Sequence, residues 1–490
     1  MKQLVFTLAI VSLTACSTTV SPVQDDNEST KLKLEQLTIV SRHNVRAPLQ
    51  KNIDSTKRNV DSLQKEDILM RFSVPGSNLT QRGIALETIM GSYFRKWLRE
   101  EGFLKDYKVE IKKKNGKEYP DTSDIVPDVS MFYFAASPRE RTVASARAFA
   151  VGFVPSADIT VHHSELGSPD INFLPFLVDH GKNCKGTDFQ VNEGAFLDKA
   201  QKEVDCIIDS NKTALESAYN LLENAVYYSK SLNSKRRKHL TTDGLKNEVN
   251  LNFHKKDGKI KEPEATDTSH LKAANQLSDA LILQFYEMQN PSSTGLNIPK
   301  DSLKAWRTLA DIKDIYSKIL FTSPMVAVNT SHWLLWQVKK GIQNNDFTFI
   351  CTHDTSISAL LAALQADYSL PDSLTIEGLT PNGCKLCIEK YRRGDKHYGR
   401  VRMLYQSNEQ LRNMTVLDYK NTHPQSFNIT FKGLKCINFG NGCNCSNSDK
   451  GCIKCEKCKD GCYYEWKDLI KRINDTIDAF AKVAKGEKPF

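Results

Sequence analysis

Leu37-Thr38-Ile39-Val40-Ser41-Arg42-His43-Asn44-Val45-Arg46-Ala47-Pro48 joins a short apolar run to a loop dense in Arg and His. A run of this kind, with no polar alternation, is what a strand buried on both faces of a sheet requires. Two further segments repeat the design. Val129 to Ala136 runs into Ala136-Ser137-Pro138-Arg139-Glu140-Arg141-Thr142, and Phe347 to Cys351 into Cys351-Thr352-His353-Asp354-Thr355. Between them lie helical patterns. Ile84 to Leu98 carries Leu86, Ile89, Met90, Tyr93 and Trp97 at helical spacing, Thr142 to Phe153 is Ala-rich, and Ser356 to Leu364 follows the third loop. Strands alternating with helices predict an α/β sheet.

In an open α/β sheet, ligands bind beyond the carboxyl ends of the strands. All three loops belong on that edge. Arg42, Arg46, Arg141, His43 and His353 would then form a strongly cationic pocket. Guanidinium forks match tetrahedral phosphate oxygens in pairs. Asp354 and Thr355 open a helix, whose N-terminal amides favour an anion. Each element alone also has a structural reading, since a His at a strand end often caps or packs. The recurrence of the design is what argues for chemistry.

The loop Arg42-His43-Asn44-Val45-Arg46-Ala47-Pro48 resembles the RHGxRxP signature of the histidine acid phosphatases, and His353-Asp354 resembles their second signature. Leu79-Thr80-Gln81-Arg82-Gly83, Thr380-Pro381-Asn382-Gly383 and Tyr405 to Asn413 are similar to further turns and segments of that family. The resemblance spans most of residues 34–435. It implies a sheet with helices on both faces and a mostly α-helical inserted domain over the active-site edge. One departure is Asn44, where the family usually has Gly, and bacterial glucose-1-phosphatases are similar in this. Val74-Pro75-Gly76 and Val161-His162-His163 resemble the same subgroup, whereas Cys384 departs from the second Gly of the late turn.

Residue chemistry and the resemblance together imply phosphomonoester hydrolysis. His43 attacks phosphorus and becomes phosphohistidine. Arg42, Arg46, Arg141 and His353 hold the phosphoryl oxygens. Asp354, protonated at acid pH, serves the leaving oxygen and then activates water. No metal or other cofactor is needed, because the arginines take the place of a cation. Glu287, in Phe285-Tyr286-Glu287-Met288, is similar to a Tyr-Glu pair bordering the pocket of glucose-1-phosphatases; it also reads as a solvated helix end. The substrate expected is a small phosphomonoester, first a sugar phosphate, with phytase or broad-specificity acid phosphatase as alternatives. A catalytically silent surface lipoprotein is the rival outside enzymology, disfavoured because all six motif residues are present.

The chain has 490 residues, 40% hydrophobic and 26% charged, an ordinary soluble composition that excludes disorder throughout. Lys+Arg minus Asp+Glu is 67 − 58 = +9, which permits anionic ligands without arguing for nucleic acid. Residues 34–160 and 321–435 read as the α/β domain. Residues 161–320 read as the inserted helical domain, with patterns over Leu215 to Tyr228 and Leu271 to Met288. Residues 436–490 read as a Cys-rich patch and a C-terminal helix. The basic run Lys235 to Lys238 either gathers polyphosphates or is a solvated loop.

Lys2 followed by the apolar run Leu4 to Ala15 reads as a signal peptide, residues 1–15, too short to span a bilayer. Leu13-Thr14-Ala15-Cys16 resembles a bacterial lipobox, so Cys16 is expected to carry lipid and residues 16–33 to form a polar tether. The protein is thus expected in the bacterial cell envelope, touching membrane only through Cys16. Of 13 cysteines, seven lie in Cys436–Cys462; setting Cys16 aside, five lie elsewhere. Both groups are odd, so complete internal pairing would need a bridge from the tail to the body. Cys452, Cys455 and Cys458 also have metal-ligand spacing, although disulfides suit an exported protein better. Cys351 alternatively reads as a small buried thiol.

Overall fold

The computed structural model describes residues 31–50, 52, 69–105, 108–123, 129–170, 172–173, 181–182, 188–189, 192–226, 240–249, 251, 255–256, 259–260, 270–287, 296–298, 302–439 and 461–490. Cys16, the run Lys235 to Lys238 and the Cys452/Cys455/Cys458 cluster lie outside them.

The three strand-loop segments fold as the sequence predicts. Strand β1 (Lys33–Arg42) is followed by helix α1 (Gln81–Glu100), β2 (Phe132–Ala136), α2 (Glu140–Phe153) and β3 (Val161–His162). Next come α3 (Glu193–Val226), α4 (His270–Glu287), α5 (Leu303–Phe321) and α6 (Pro324–Asn344). Strand β4 (Phe347–Thr352) and helix α7 (Asp354–Ala363) complete the third unit. The chain then forms β5 (Lys385–Arg393), β6 (Lys396–Tyr405), the short helix α8 (Asn408–Asn413), β7 (Gln425–Asn428), β8 (Tyr463–Glu465) and α9 (Trp466–Ala484).

The central sheet is eight-stranded, ordered β7-β6-β5-β1-β4-β2-β3, with β8 also pairing β6. β1, β4, β2 and β3 are parallel to their neighbours. Arg42 faces Thr352 and Cys351 faces Ala136 in register. The loops starting at His43, His353 and Ser137 therefore leave one sheet edge side by side. The other half of the sheet is antiparallel. The sequence reading did not single out β5 and β6, although Val401 and Met403 alternate with Arg400 and Arg402 in the period-two pattern of a strand covered on one face.

Alternation along the strands divides the core. Leu37, Ile39, Phe134, Phe347 and Phe349 face α1 and α2, where Phe349 stacks on Phe149 at 4.3 Å. Val40, Ala135, Ile350, Leu386 and Met403 face α6, α7 and α9. Helices thus cover both faces. A third cluster joins α3, α4 and α5. Helix α3 buries Phe196, Ala200, Val204, Ile208, Leu215, Tyr219 and Leu222, mostly at spacings of three or four, which makes one apolar stripe. That stripe begins well before Leu215, where sequence reading put the helix, because Lys, Asp and Glu fill its other faces.

Cys436 and Cys462 form a disulfide inside the C-terminal segment. Cys351, Cys384 and Cys387 are buried free thiols, and Cys206 is an exposed one. Complete pairing does not hold among the described residues, so the argument for a tail-to-body bridge loses its premise. Buried thiols of this kind act as small apolar side chains.

Candidate active site

The site grows from the loop after β1. The His43 amide donates to the Thr352 carbonyl at 3.1 Å, and the Arg42 amide to the Cys384 carbonyl at 3.0 Å. The Thr80 amide donates to the Val45 carbonyl at 3.0 Å, and the Thr80 hydroxyl caps α1 by accepting from Gly83 N at 3.0 Å. A Cβ on Gly83 would collide with the Val45 carbonyl, which is why this turn carries Gly there. Arg42, His43, Asn44 and Arg46 are all buried.

His43 Nδ1 lies 2.8 Å from the Asn44 carbonyl oxygen. A carbonyl only accepts, so the proton sits on Nδ1 and Nε2 keeps its lone pair. Burial, then Arg141 and Arg46, push the His43 pKa well below its usual value and keep the ring neutral. The rings of His43 and His353 meet edge to face at 5.6 Å. His353 is neutral for the same reasons, burial first and Arg141 next. Its Nε2 lies 3.2 Å from Ser137 Oγ and its Nδ1 3.4 Å from Arg141 Nη2.

The cations have fixed partners. Arg42 Nη1 donates to Glu377 Oε1 at 2.7 Å and to the Thr380 carbonyl, while its Nη2 is 3.5 Å from Asp354 Oδ2. Arg46 Nη2 reaches both oxygens of Asp279, at 3.1 and 3.0 Å. Lys313 Nζ lies 2.8 Å from Asp354, 3.2 Å from Glu377 and 3.5 Å from Asp279. The Nε atoms of Arg42, Arg46 and Arg141 are buried with no hydrogen-bond partner among the described residues. Buried donors of this sort suit an anion bearing several acceptor oxygens.

These contacts correct two expectations. The pocket is not strongly cationic: Asp279, Asp354 and Glu377 stand against Arg42, Arg46, Arg141 and Lys313. The substrate-free site also favours the ionised form of Asp354 over the protonated one. Burial opposes its charge, but Lys313 and Arg42 outweigh burial and hold the carboxyl well below the usual range. Asp354 does open α7, and its Oδ1 accepts from the Thr355 amide at 3.0 Å.

The structure brings Arg42, His43, Arg46, Arg141, His353 and Asp354 together. Glu287 is engaged beside them: its Oε2 accepts from the Thr80 hydroxyl at 2.9 Å and lies 3.9 Å from Arg82 Nε. Sequence reading missed Asp279, Lys313, Glu377 and Ser137. One signal was available, since Asp279 interrupts the apolar run Leu277 to Leu283 on a helix buried nearly all round.

Behind His43, Asn44 Nδ2 donates to Glu87 Oε1 at 3.1 Å and Lys385 Nζ donates to the same oxygen at 2.9 Å. Gly383 holds φ at 67°, and a Cβ there would strike Asn44 Nδ2. Asn44 thus fills space that the backbone of the late turn leaves open.

A sequence model described as histidine phosphatase superfamily (branch 2) matches residues 33–406. The chain is 28% identical over 445 residues to a glucose-1-phosphatase of Salmonella typhimurium, covering 88% of this chain and 94% of that one. It is 27% identical over 425 residues to the phytase AppA of Escherichia coli, covering 83% and 88%. The solved Hafnia alvei phytase in complex with myo-inositol hexakis sulphate shares the fold, with a TM-score of 0.67 at 19% identity, covering 92% of this chain and 98% of that one. The chain belongs to the histidine phosphatase superfamily, branch 2, and is a phosphoric monoester hydrolase of the histidine acid phosphatase type.

Proposed function

We propose that this enzyme hydrolyses a small sugar phosphate through a phosphohistidine at His43. The observation that carries the mechanism is the His43 ring, neutral and bonded through Nδ1 to the Asn44 carbonyl, beside three buried arginines with unpaired Nε groups. In this reading Nε2 attacks phosphorus in line, and Arg42, Arg46 and Arg141 take the equatorial oxygens. His353, held by Ser137 and Arg141, adds a donor when phosphate displaces its present partners. Asp354 moves the proton of the leaving oxygen and then takes one from the attacking water.

The near balance of charge supports a substrate with one phosphate. An inositol polyphosphate would bring further anionic groups toward Asp279, Glu377 and Asp354, whereas sugar hydroxyls hydrogen-bond well with carboxylates. Glu287, beside Thr80, is assigned to the rim of the same pocket. The name of the Salmonella relative agrees with this choice. Phytase activity is the second reading, because a phytase is also among the relatives. The sequence further supports export by a signal peptide at residues 1–15 and anchoring through Cys16; of the expected insertion 161–320, Val161–His162 belong to the central sheet, so the inserted unit begins after β3.

A phosphomonoester panel across pH tests the assignment. Glucose-1-phosphate should exceed phytate in kcat/KM, and Asp354→Asn should slow sugar phosphates far more than aryl phosphates, whose leaving groups need less protonation. A tenfold preference for phytate, a barrier difference of about 1.4 kcal/mol, would replace sugar phosphate with the second reading.

A further inference from the structure

Lys313 comes from α5, outside every motif loop, yet its ammonium sits at the centre of the site. Its side chain is 10% exposed and contacts three carboxylates from three different parts of the fold. Asp279 on α4 also holds Arg46, Glu377 in the loop before β5 also holds Arg42, and Asp354 opens α7. Burial and Arg42 oppose the charge on Lys313, and the three acids more than offset them. One lysine therefore ties both arginine–carboxylate pairs to the proton-transfer group.

We propose that Lys313 is a positioning residue of the reaction: it keeps the Asp354 carboxylate ionised and fixed in the substrate-free enzyme, so that the proton for the leaving oxygen enters on the phosphate monoanion. This rests on the role of Asp354 proposed above. The step balances. The substrate ROPO3H− and neutral His43 form the Nε2–P bond as the O–P bond breaks. The phosphate proton passes through Asp354 to the leaving oxygen, giving ROH and a phosphohistidine with the same net charge. Water then attacks phosphorus, Asp354 takes a proton from it, and returning that proton to phosphate regenerates neutral His43 and ionised Asp354.

The charged and titratable groups facing Asp354 are Lys313 from α5, Arg42 and His43 from β1 and its loop, and Arg141 from α2. Asp279 from α4, Glu377 from the loop before β5, and the adjacent His353 also face it. Lys313 is the strongest of the cations acting on it. The largest charge effects on His43 come instead from Arg141, Arg46, His353 and Arg42.

The pH profile of kcat/KM reads free enzyme and free substrate. With ionised Asp354 and monoanionic substrate as the reacting pair, protonation of Asp354 sets an acid limb. Loss of the second phosphate proton, near pH 6 for a phosphomonoester, sets the alkaline one. Lys313→Met should raise the Asp354-dependent acid limb by at least about one pH unit, and Lys313→Arg should restore it. That limb is identified by its absence in Asp354→Asn, assayed on an aryl phosphate. A Lys313→Met enzyme that loses kcat but keeps the wild-type limb would make Lys313 a mere strut and overturn the proposal. Should Lys313→Met not fold, the wild type decides: its Asp354-dependent limb should lie below about pH 4, the ordinary aspartate value, and a limb above it overturns the proposal. Wild-type enzyme without phosphomonoesterase activity would instead overturn the underlying reading, and this proposal with it.

Discussion

Arg46 and Asp279 form a two-point ion pair across the site, with Nη2 at 3.1 and 3.0 Å from the two carboxylate oxygens. Asp279 also accepts from Asn52 Nδ2 at 2.9 Å. An arginine expected to bind phosphate is thus already committed to an acid, and in the proposed mechanism substrate phosphate would compete with that acid. Asp279→Asn should leave Arg46 in place through the amide oxygen while removing one negative charge. The preference in kcat/KM for glucose-1-phosphate over phytate should fall roughly threefold to tenfold, equivalent to about 0.7–1.4 kcal/mol. An unchanged ratio would mean that pocket charge does not select the substrate.

Glu287 joins the end of α4 to the start of α1 through Thr80. Burial raises its pKa, with Thr80 and Arg82 opposing the shift. Glu287→Gln keeps an acceptor for the Thr80 hydroxyl and removes the charge; Glu287→Ala removes both. Thermal unfolding should show a loss of about 1 kcal/mol for the Ala variant and little for Gln. Both should narrow the sugar-phosphate preference. Wild-type selectivity in both variants would confine Glu287 to a structural role.

Glu87 and Lys385 are a fully buried pair beneath the loop that carries His43, 2.9 Å apart. Burial raises the Glu87 carboxyl despite Lys385, so this acid is held on its lysine at some cost. Lys385→Met alone leaves the acid and should destabilise the fold by about 3–5 kcal/mol. Adding Glu87→Gln should recover a large part of that loss, because the amide can still accept from Asn44. Denaturant midpoints of the single and double variants give the coupling. Additive losses would show that the pair does not act as a unit.

Three of the four parallel strands, β1, β2 and β4, were legible in the sequence because they are apolar runs that end in loops with repeated chemistry, whereas the two-residue β3 was not. Arg42, His43, Arg46, Arg141, His353 and Asp354 stand at those strand ends, so local pattern and topology together located them. Lys313, Asp279 and Glu377 were not legible, because they come from two helices and a loop and acquire meaning only through burial and mutual distance. A lysine on a helix ordinarily reads as solvated. The charge balance of the pocket was missed for the same reason: motif loops supply cations, and their counter-charges arrive from distant segments. The antiparallel strands were overlooked although β6 alternates apolar residues with arginines, two of which, Arg400 and Arg402, bind the buried Glu389.

The central claim is that His43 carries phosphate during turnover. Rapid quenching of a phosphorus-labelled substrate reaction into alkaline denaturant measures it directly, followed by exposure of the denatured protein to acid and to base. Wild-type enzyme should trap about one phosphate per chain in an acid-labile, base-stable bond, as a phosphoramidate requires. Folded His43→Ala should trap none and lose turnover. Label retained by His43→Ala, or substantial turnover without His43, would contradict the account.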